Sequence, residues 1–291
     1  MHDDRVNLSV ILQNGLRLGY AEYGDMHGLP VFYFTGGNSS RIEGMWFKEA
    51  VSQRGIRLIV PDRPGFGLSE FQVNRQLLNW PDDVTELADA LSIDEFSVFG
   101  LSGGGPHVLA VLYKMSDRIK RAAVVSGTAP PEMPDLYEGM WLPVRLIFIT
   151  AKYLPRINRI LLSQMASFYS DYEQMITRMS QFLPSPDVEL INNSPRIMEV
   201  FANAAQEAHR NGIDGDAWEW RLYVNNWGFG LDSIPLEVFL LYGIYDRQVP
   251  IGMGRYLAES IPRAKLVEFE DGGHFSTINN HIGKILDYLA G

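Results

Sequence analysis

Gly100-Leu101-Ser102-Gly103-Gly104 spells G-x-S-x-G, and Gly105-Pro106 follow it directly. An apolar run with β-branched and aromatic residues, Phe96 to Phe99, comes before; a helix-compatible run, His107 to Met115, comes after. The stretch predicts strand, tight turn, helix. A serine on so sharp a turn holds a strained backbone and needs neighbours without side chains. Its hydroxyl then stands beside the amino end of the next helix, where unpaired N–H groups favour a developing anion. Such a hydroxyl is a poor nucleophile until a base takes its proton, and histidine suits that task near neutral pH.

Six histidines are available: His2, His27, His107, His209, His274 and His281. In an open α/β sheet, ligands gather at the carboxyl ends of the strands. His274, in Asp271-Gly272-Gly273-His274-Phe275, is the one expected in a loop directly after a strand. His27 precedes a strand, His107 reads as packing within the helix after the turn, and His281 reads as solvated on the last helix. The base needs a carboxylate to fix its tautomer. Asp246 lies just past the predicted strand Leu236 to Tyr242; Asp232, Glu268 and Glu270 are less well placed. Ser102, Asp246 and His274 each fall at a strand end.

The elements that must position these side chains alternate along the chain. Asn14-Gly15 between Val6–Leu12 and Leu16–Tyr23 is a hairpin signal, because both turn residues tolerate positive φ. Further strands are expected at Pro30–Phe34, Ile56–Val60, Phe96–Gly100, Ala122–Val125, Leu236–Tyr242 and Lys265–Phe269. Helical spacing marks Ile42–Arg54, a helix opened by Pro81 with Val84, Leu87, Ala88 and Leu91 on one side, Pro250–Ile261 and Ile278–Leu289. This alternation implies a parallel sheet with helices on both faces. From about Pro131 to Gly230 it stops. That stretch reads as several helices punctuated by Pro155, Pro184, Pro186 and Pro195, rich in Met and aromatic residues, Tyr172, Met175 and Met179 among them. Asp214-Gly215-Asp216 reads as two acids in a turn.

Composition narrows the partners. The 291 residues carry a formal net charge of −10, which excludes a surface that neutralises many phosphates, so no nucleic acid is expected. There is no cysteine, hence no disulfide, thiolate metal site or cysteine nucleophile. The polar start Met1-His2-Asp3-Asp4-Arg5 is unlike a signal peptide, and the apolar stretch Trp141–Leu154 is broken by Pro143, Arg145 and Lys152 and too short to span a bilayer. A cytoplasmic monomer or homodimer with no membrane partner is expected. No metal-binding or nucleotide-binding motif appears, so no metal and no organic cofactor is expected.

Taken together, these pieces resemble the α/β-hydrolase fold family over nearly the whole chain. The matching features are the hairpin start, Gly36-Gly37 after the third strand, Asp62-Arg63-Pro64-Gly65-Phe66-Gly67-Leu68-Ser69 after the fourth, the turn at Ser102, and Asp246 and His274 in the family's order. The resemblance implies an α/β-hydrolase fold: a mostly parallel eight-stranded sheet with helices on both faces. The core would comprise 1–130 and 231–291, with a helical cap inserted at 131–230. It implies a catalytic triad of Ser102, Asp246 and His274, and an oxyanion hole made by the N–H groups of Gly37 and Gly103. Many members carry histidine before the first glycine of that loop, where this chain has Thr35. The expected activity is a carboxylesterase-like serine hydrolase acting on a small, uncharged, largely apolar acyl substrate. The same triad could instead cut a C–C bond, lactone, thioester or amide, or persist in a ligand-sensing protein with weak turnover.

Overall fold

The computed structural model describes residues 5–169, 177 and 180–291; His2, Tyr172, Met175 and Met179 lie outside the described residues. Asn14-Gly15 turns the chain between β1 (Arg5–Ile11) and β2 (Arg17–Gly24), with Gly15 at φ 83°. Then follow β3 (Leu29–Phe34), β4 (Ile56–Pro61), β5 (Phe96–Leu101), β6 (Ile119–Val125), β7 (Val238–Gly243) and β8 (Ala264–Phe269). They form one eight-stranded sheet in the order β1-β2-β4-β3-β5-β6-β7-β8. β2 pairs antiparallel with β1 and β4, and every other pairing is parallel. β5 is buried along its whole length, as a central parallel strand covered on both faces must be.

Helices cover both faces. On one side, α2 (Trp80–Ala90), α3 (Gly104–Lys114) and a late helix, Ile251–Ser260, pack Val84, Val108 and Leu257 against the sheet. On the other, α1 (Lys48–Ser52) and the closing helix His274–Ala290 contribute Val51, Ile285 and Leu289. The chain runs from β3 to β4 on one side and then crosses to β5 on the other flank of β3. A crevice therefore opens at the carboxyl ends of β3 and β5, the switch point where open α/β sheets bind ligands.

Several boundaries differ from the sequence expectation. The helix expected over Ile42–Arg54 is a 3-10 segment, Arg41–Phe47, leading into the five-residue α1. There the polar side chains of Arg41 and Glu43 turn inward, so the stretch has no purely apolar inner face. β7 starts two residues late, after a 3-10 turn at Leu231–Ser233 and Pro235, whose ring nitrogen has no hydrogen to donate to a ladder. The closing helix starts at His274 instead of Ile278, so His274 sits in a helix's first turn and not in a loop.

Between β6 and β7 the described chain holds helices and no strand: α4 (Leu142–Tyr153), α5 (Pro155–Phe168), α6 (Ser185–Asn193), α7 (Pro195–Ala208) and α8 (Asp214–Tyr223). In α4 to α7 a proline occupies the first or second position, where its missing N–H costs no helix hydrogen bond. The remaining core helices are then α9 (Ile251–Ser260) and α10 (His274–Ala290). Among the described residues no helix is long and apolar enough to cross a membrane.

Candidate active site

Ser102 leaves β5 at φ 53°, the left-handed region that L-residues avoid. Its N–H donates to the Val125 carbonyl on β6 at 2.9 Å, and its carbonyl accepts the Gly105 N–H at 3.0 Å, so the strained residue is tied on both sides. The glycines around it are steric necessities. A Cβ on Gly104 would lie 2.1 Å from the Phe34 carbonyl oxygen, and one on Gly103 would lie 2.3 Å from the Tyr223 hydroxyl.

His274 and Asp246 meet across the ends of β7 and β8. Asp246 Oδ2 lies 2.7 Å from His274 Nδ1, and both residues are buried. The other oxygen, Oδ1, accepts the N–H groups of Gln248 and Val249 at 2.8 and 2.9 Å, which fixes the carboxylate plane. Burial by itself pushes the imidazole pKa down. The Asp246 carboxylate outweighs that, with help from Asp187 and Glu43, and the net pKa lies above the ordinary histidine value.

Asp187, on α6 of the inserted helices, reaches this site from 87 residues away. Its carboxylate accepts the N–H groups of His274, Phe275 and Ser276 at 2.9, 3.1 and 2.8 Å, and the Ser276 hydroxyl at 2.7 Å. It thus caps α10 from outside the helix, satisfying donors that the first turn leaves open. A Cβ on Gly273 would sit 2.6 Å from this carboxyl group.

The loop after β3 is held by a second buried network. Arg63 Nη1 donates to the Thr35 carbonyl at 2.7 Å and Nη2 to the Gly36 carbonyl at 2.8 Å. The Gly36 N–H is taken by Glu43 Oε2 at 3.2 Å. In a trans peptide the C=O and N–H point in opposite directions. With the Gly36 carbonyl held by Arg63, the Gly37 N–H is turned away from Arg63. Gly37 and Gly103 are neighbours, since a Cβ on Gly103 would lie 3.1 Å from the Gly37 nitrogen.

Glu219 on α8 anchors that arginine. Its Oε1 lies 2.9 Å from Arg63 Nε, 3.0 Å from His107 Nε2 and 2.9 Å from the Tyr223 hydroxyl, while Oε2 pairs with Arg75. Burial raises the Glu219 pKa, but Arg75, His107 and Arg63 more than reverse this and hold it well below the usual carboxylate range. His107, expected as packing, is therefore a fully buried polar member of this cluster, with Nδ1 at 3.1 Å from the Gly103 carbonyl. Burial lowers its pKa.

Two other expectations change. Asp214 and Asp216 lie in the first turn of α8, where Asp214 pairs with Arg159 at 2.5 Å and buried Asp216 meets His209 Nε2 at 3.2 Å. His281 stacks on Phe269 at 3.6 Å between ring centroids and is half-buried.

Gly37, Ser102, Gly103 and His274 line one cavity of about 450 Å³, and Asp246 lies behind His274. The inserted helices supply most of the opposite wall, including Val144, Ile147, Phe148, Met165, Phe201 and Trp220. Among the described lining residues there is no Lys or Arg. Thr128 Oγ1, Trp220 Nε1 and Gln248 Nε2 are buried there without a hydrogen-bond partner among the described residues. Among those residues no group of acids and histidines is arranged to hold a metal ion.

Sequence reasoning did not single out Glu219, Asp187 or Glu43. Arg63 was visible inside the motif after β4, but nothing local showed that its side chain serves the loop after β3.

The profile of the family described as alpha/beta hydrolase fold matches residues 26–280. The chain is 24% identical over 274 residues to a 2-hydroxymuconate semialdehyde hydrolase from Pseudomonas putida, covering 93% of this chain and 88% of that protein. It superposes on an enol-lactonase from Burkholderia xenovorans LB400 with a TM-score of 0.69 at 21% identity, over 98% of this chain and 100% of the other. It superposes on a thermophilic esterase from Thermogutta terrifontis with a TM-score of 0.70 at 21% identity, over 97% and 96% of the two chains.

Proposed function

This chain belongs to the α/β-hydrolase fold family, and on that premise we propose that it is a serine hydrolase cleaving uncharged, largely apolar carboxylic esters. Ser102 is the nucleophile, His274 the general base and Asp246 the group that orients it. His274 takes the Ser102 proton as the oxygen bonds to the ester carbonyl carbon. The carbonyl oxygen becomes an oxyanion held by the N–H groups of Gly37 and Gly103. The intermediate collapses, the C–O bond to the alcohol breaks, and the alcohol leaves with the proton from His274. Water, deprotonated by the same imidazole, then hydrolyses the acyl-serine and returns the hydrogen to Ser102. The helices from 131 to 230 act as a cap that walls the site off from bulk water.

The observation that carries this reading is a strained serine sharing an apolar cavity with an aspartate-bound histidine. The choice of an uncharged substrate rests on the lining. No Lys or Arg is present there among the described residues, while Glu43 contributes a carboxyl group. A carboxylate substrate would face a desolvation cost with no Lys or Arg to offset it. The unpartnered donors at Thr128, Trp220 and Gln248 suit a substrate with acceptor oxygens beyond the scissile carbonyl.

The relative's name favours a second reading, cleavage of a C–C bond in a carboxylate-bearing muconate semialdehyde. The lack of any Lys or Arg among the described lining residues weighs against it. A panel of p-nitrophenyl esters, an enol-lactone and a muconate semialdehyde separates the two. Preferred turnover of short neutral esters, lost in Ser102→Ala, is the expected result. A preference for the carboxylate substrate sinks the ester assignment. No turnover and no labelling of Ser102 by a fluorophosphonate would make the protein a ligand sensor.

A further inference from the structure

The pair α4–α5 presents an outward face unlike the rest of the surface. On α4, Leu142, Leu146 and Tyr153 are spaced by four and seven residues and so share one side of the helix. That side lies opposite the buried Ile147, Phe148 and Ala151, and the three are 62%, 45% and 65% exposed. At the turn into α5 and along it, Leu154, Ile157 and Ile160 are 48%, 46% and 59% exposed. A surface helix ordinarily turns polar residues outward, and an apolar face left in water marks an interaction site.

The charged residues carried by these two helices themselves have one sign. From residue 141 to 168 the chain contains Arg145, Lys152, Arg156 and Arg159 and no acidic residue, within a protein of net charge −10. Arg159 is paired with Asp214, and Arg145 and Lys152 share a surface depression with Asp135 and Glu138. Arg156 has no acidic partner among the described residues. The face also adjoins the cavity, because α4 supplies Pro143 and Val144 to its lining.

We propose that the α4–α5 face docks on an anionic lipid bilayer, lying in its interface with the apolar side chains among the acyl chains and the basic ones at the headgroups. Exposed Leu, Ile and Tyr flanked by Arg and Lys have the composition of a helix pair that rests on, and does not span, a membrane. A second copy of the chain is a poorer occupant. A two-fold contact through this face would set its cations against the same cations, whereas anionic headgroups neutralise them. That no described helix is long and apolar enough to span a bilayer does not bear on such peripheral contact. Docking is independent of the activity assigned to Ser102.

The test is co-sedimentation of the full-length protein with vesicles of phosphatidylcholine alone or with phosphatidylserine added. Binding is expected on the anionic vesicles, with little on the neutral ones and weakening as salt rises. Arg156→Gln should lower the partition coefficient about fivefold, as expected for one basic residue near an anionic surface. Leu146→Glu with Ile160→Glu should lower it roughly tenfold or more. Circular dichroism and p-nitrophenyl ester turnover in solution check that these variants, which lie outside the cavity lining, remain folded. Equal partition of wild type and both variants, or no binding to anionic vesicles, overturns the proposal. So does a dimer in solution that Leu146→Glu dissolves, because the face is then an interface between copies.

Discussion

At the scale of single residues, the site works by setting proton positions. In the proposed mechanism His274 must be neutral to accept the Ser102 proton, and its environment favours the protonated form. Activity should therefore fall on the acid side with an apparent pKa above the usual histidine value of about 6.5, and rise as pH increases through it. A kcat/KM profile of the wild type checks this; a plateau extending well below that value would contradict the assignment of His274. Asp246→Asn should cost on the order of 10⁴ in kcat with KM little changed, because the imidazole loses its orienting acceptor. That Ser102, Asp246 and His274 each follow a strand was legible in the sequence, because apolar strand runs end just before them. Asp187 was not legible: its position just after Pro184-Ser185-Pro186 gives no hint of the three N–H groups it accepts on α10.

At the scale of elements, the inserted helices hold the core's loops. Glu207 on α7 pairs with Arg41 at 2.8 Å, the Ser40 hydroxyl donates to the Ala204 carbonyl at 2.8 Å, and Glu219 on α8 pairs with Arg63 and Arg75. The chain of contacts from Glu219 through Arg63 to the Gly36 carbonyl sets the plane of the peptide that presents the Gly37 N–H. If Gly37 has the oxyanion role proposed for it, Glu219→Gln should lower kcat more than it raises KM, a lost oxyanion donor having a typical cost of about 3 kcal/mol in barrier height. Breaking a buried pair also destabilises by about 3–5 kcal/mol, so a thermal melt should accompany the kinetics. The sign of the pH effect follows from the depressed Glu219 pKa. Its stabilisation is present above the ordinary glutamate range and is lost as pH falls through the lower folded value, so the variant should be less sensitive to acid than the wild type. Asp187→Ala should weaken the first turn of α10 by about 1–2 kcal/mol, seen as a lower melting temperature, and lower activity through misplacement of His274.

At the scale of the whole molecule, the core and the insertion are bound by buried charge, so neither is an independent accessory. Deleting residues 131–230 would strand buried Arg63 and Arg75, whose carboxylate partner Glu219 lies in that stretch, and would leave Arg41 with Asp62 but without Glu207. Such a chain should fail to give a cooperative melt, whereas Leu146→Glu on the outward face should melt like the wild type. Alternation of strand and helix sufficed for the order of the core, because a buried parallel strand must be a short apolar run and its crossover an amphipathic helix. The 3-10 course of Arg41–Phe47 escaped that logic, since its inward side chains include an arginine and a glutamate whose partners lie on other elements and loops. Helical spacing also revealed the insertion as helices, but not which faces it turns inward.

What the amino-acid order determined by itself is local: a glycine-flanked serine after a central strand, an aspartate and a histidine after two later ones, and a stretch where strands cease. Backbone sterics and hydrophobic periodicity act over a few residues, so they can be read along the chain. It took the folded arrangement to show that Glu219 steadies Arg63, that Asp187 caps the helix bearing His274, and that α4 and α5 leave an apolar face in water. Those outcomes depend on charges and surfaces brought together from distant positions, and Coulombic pairing and burial depend on distance in space.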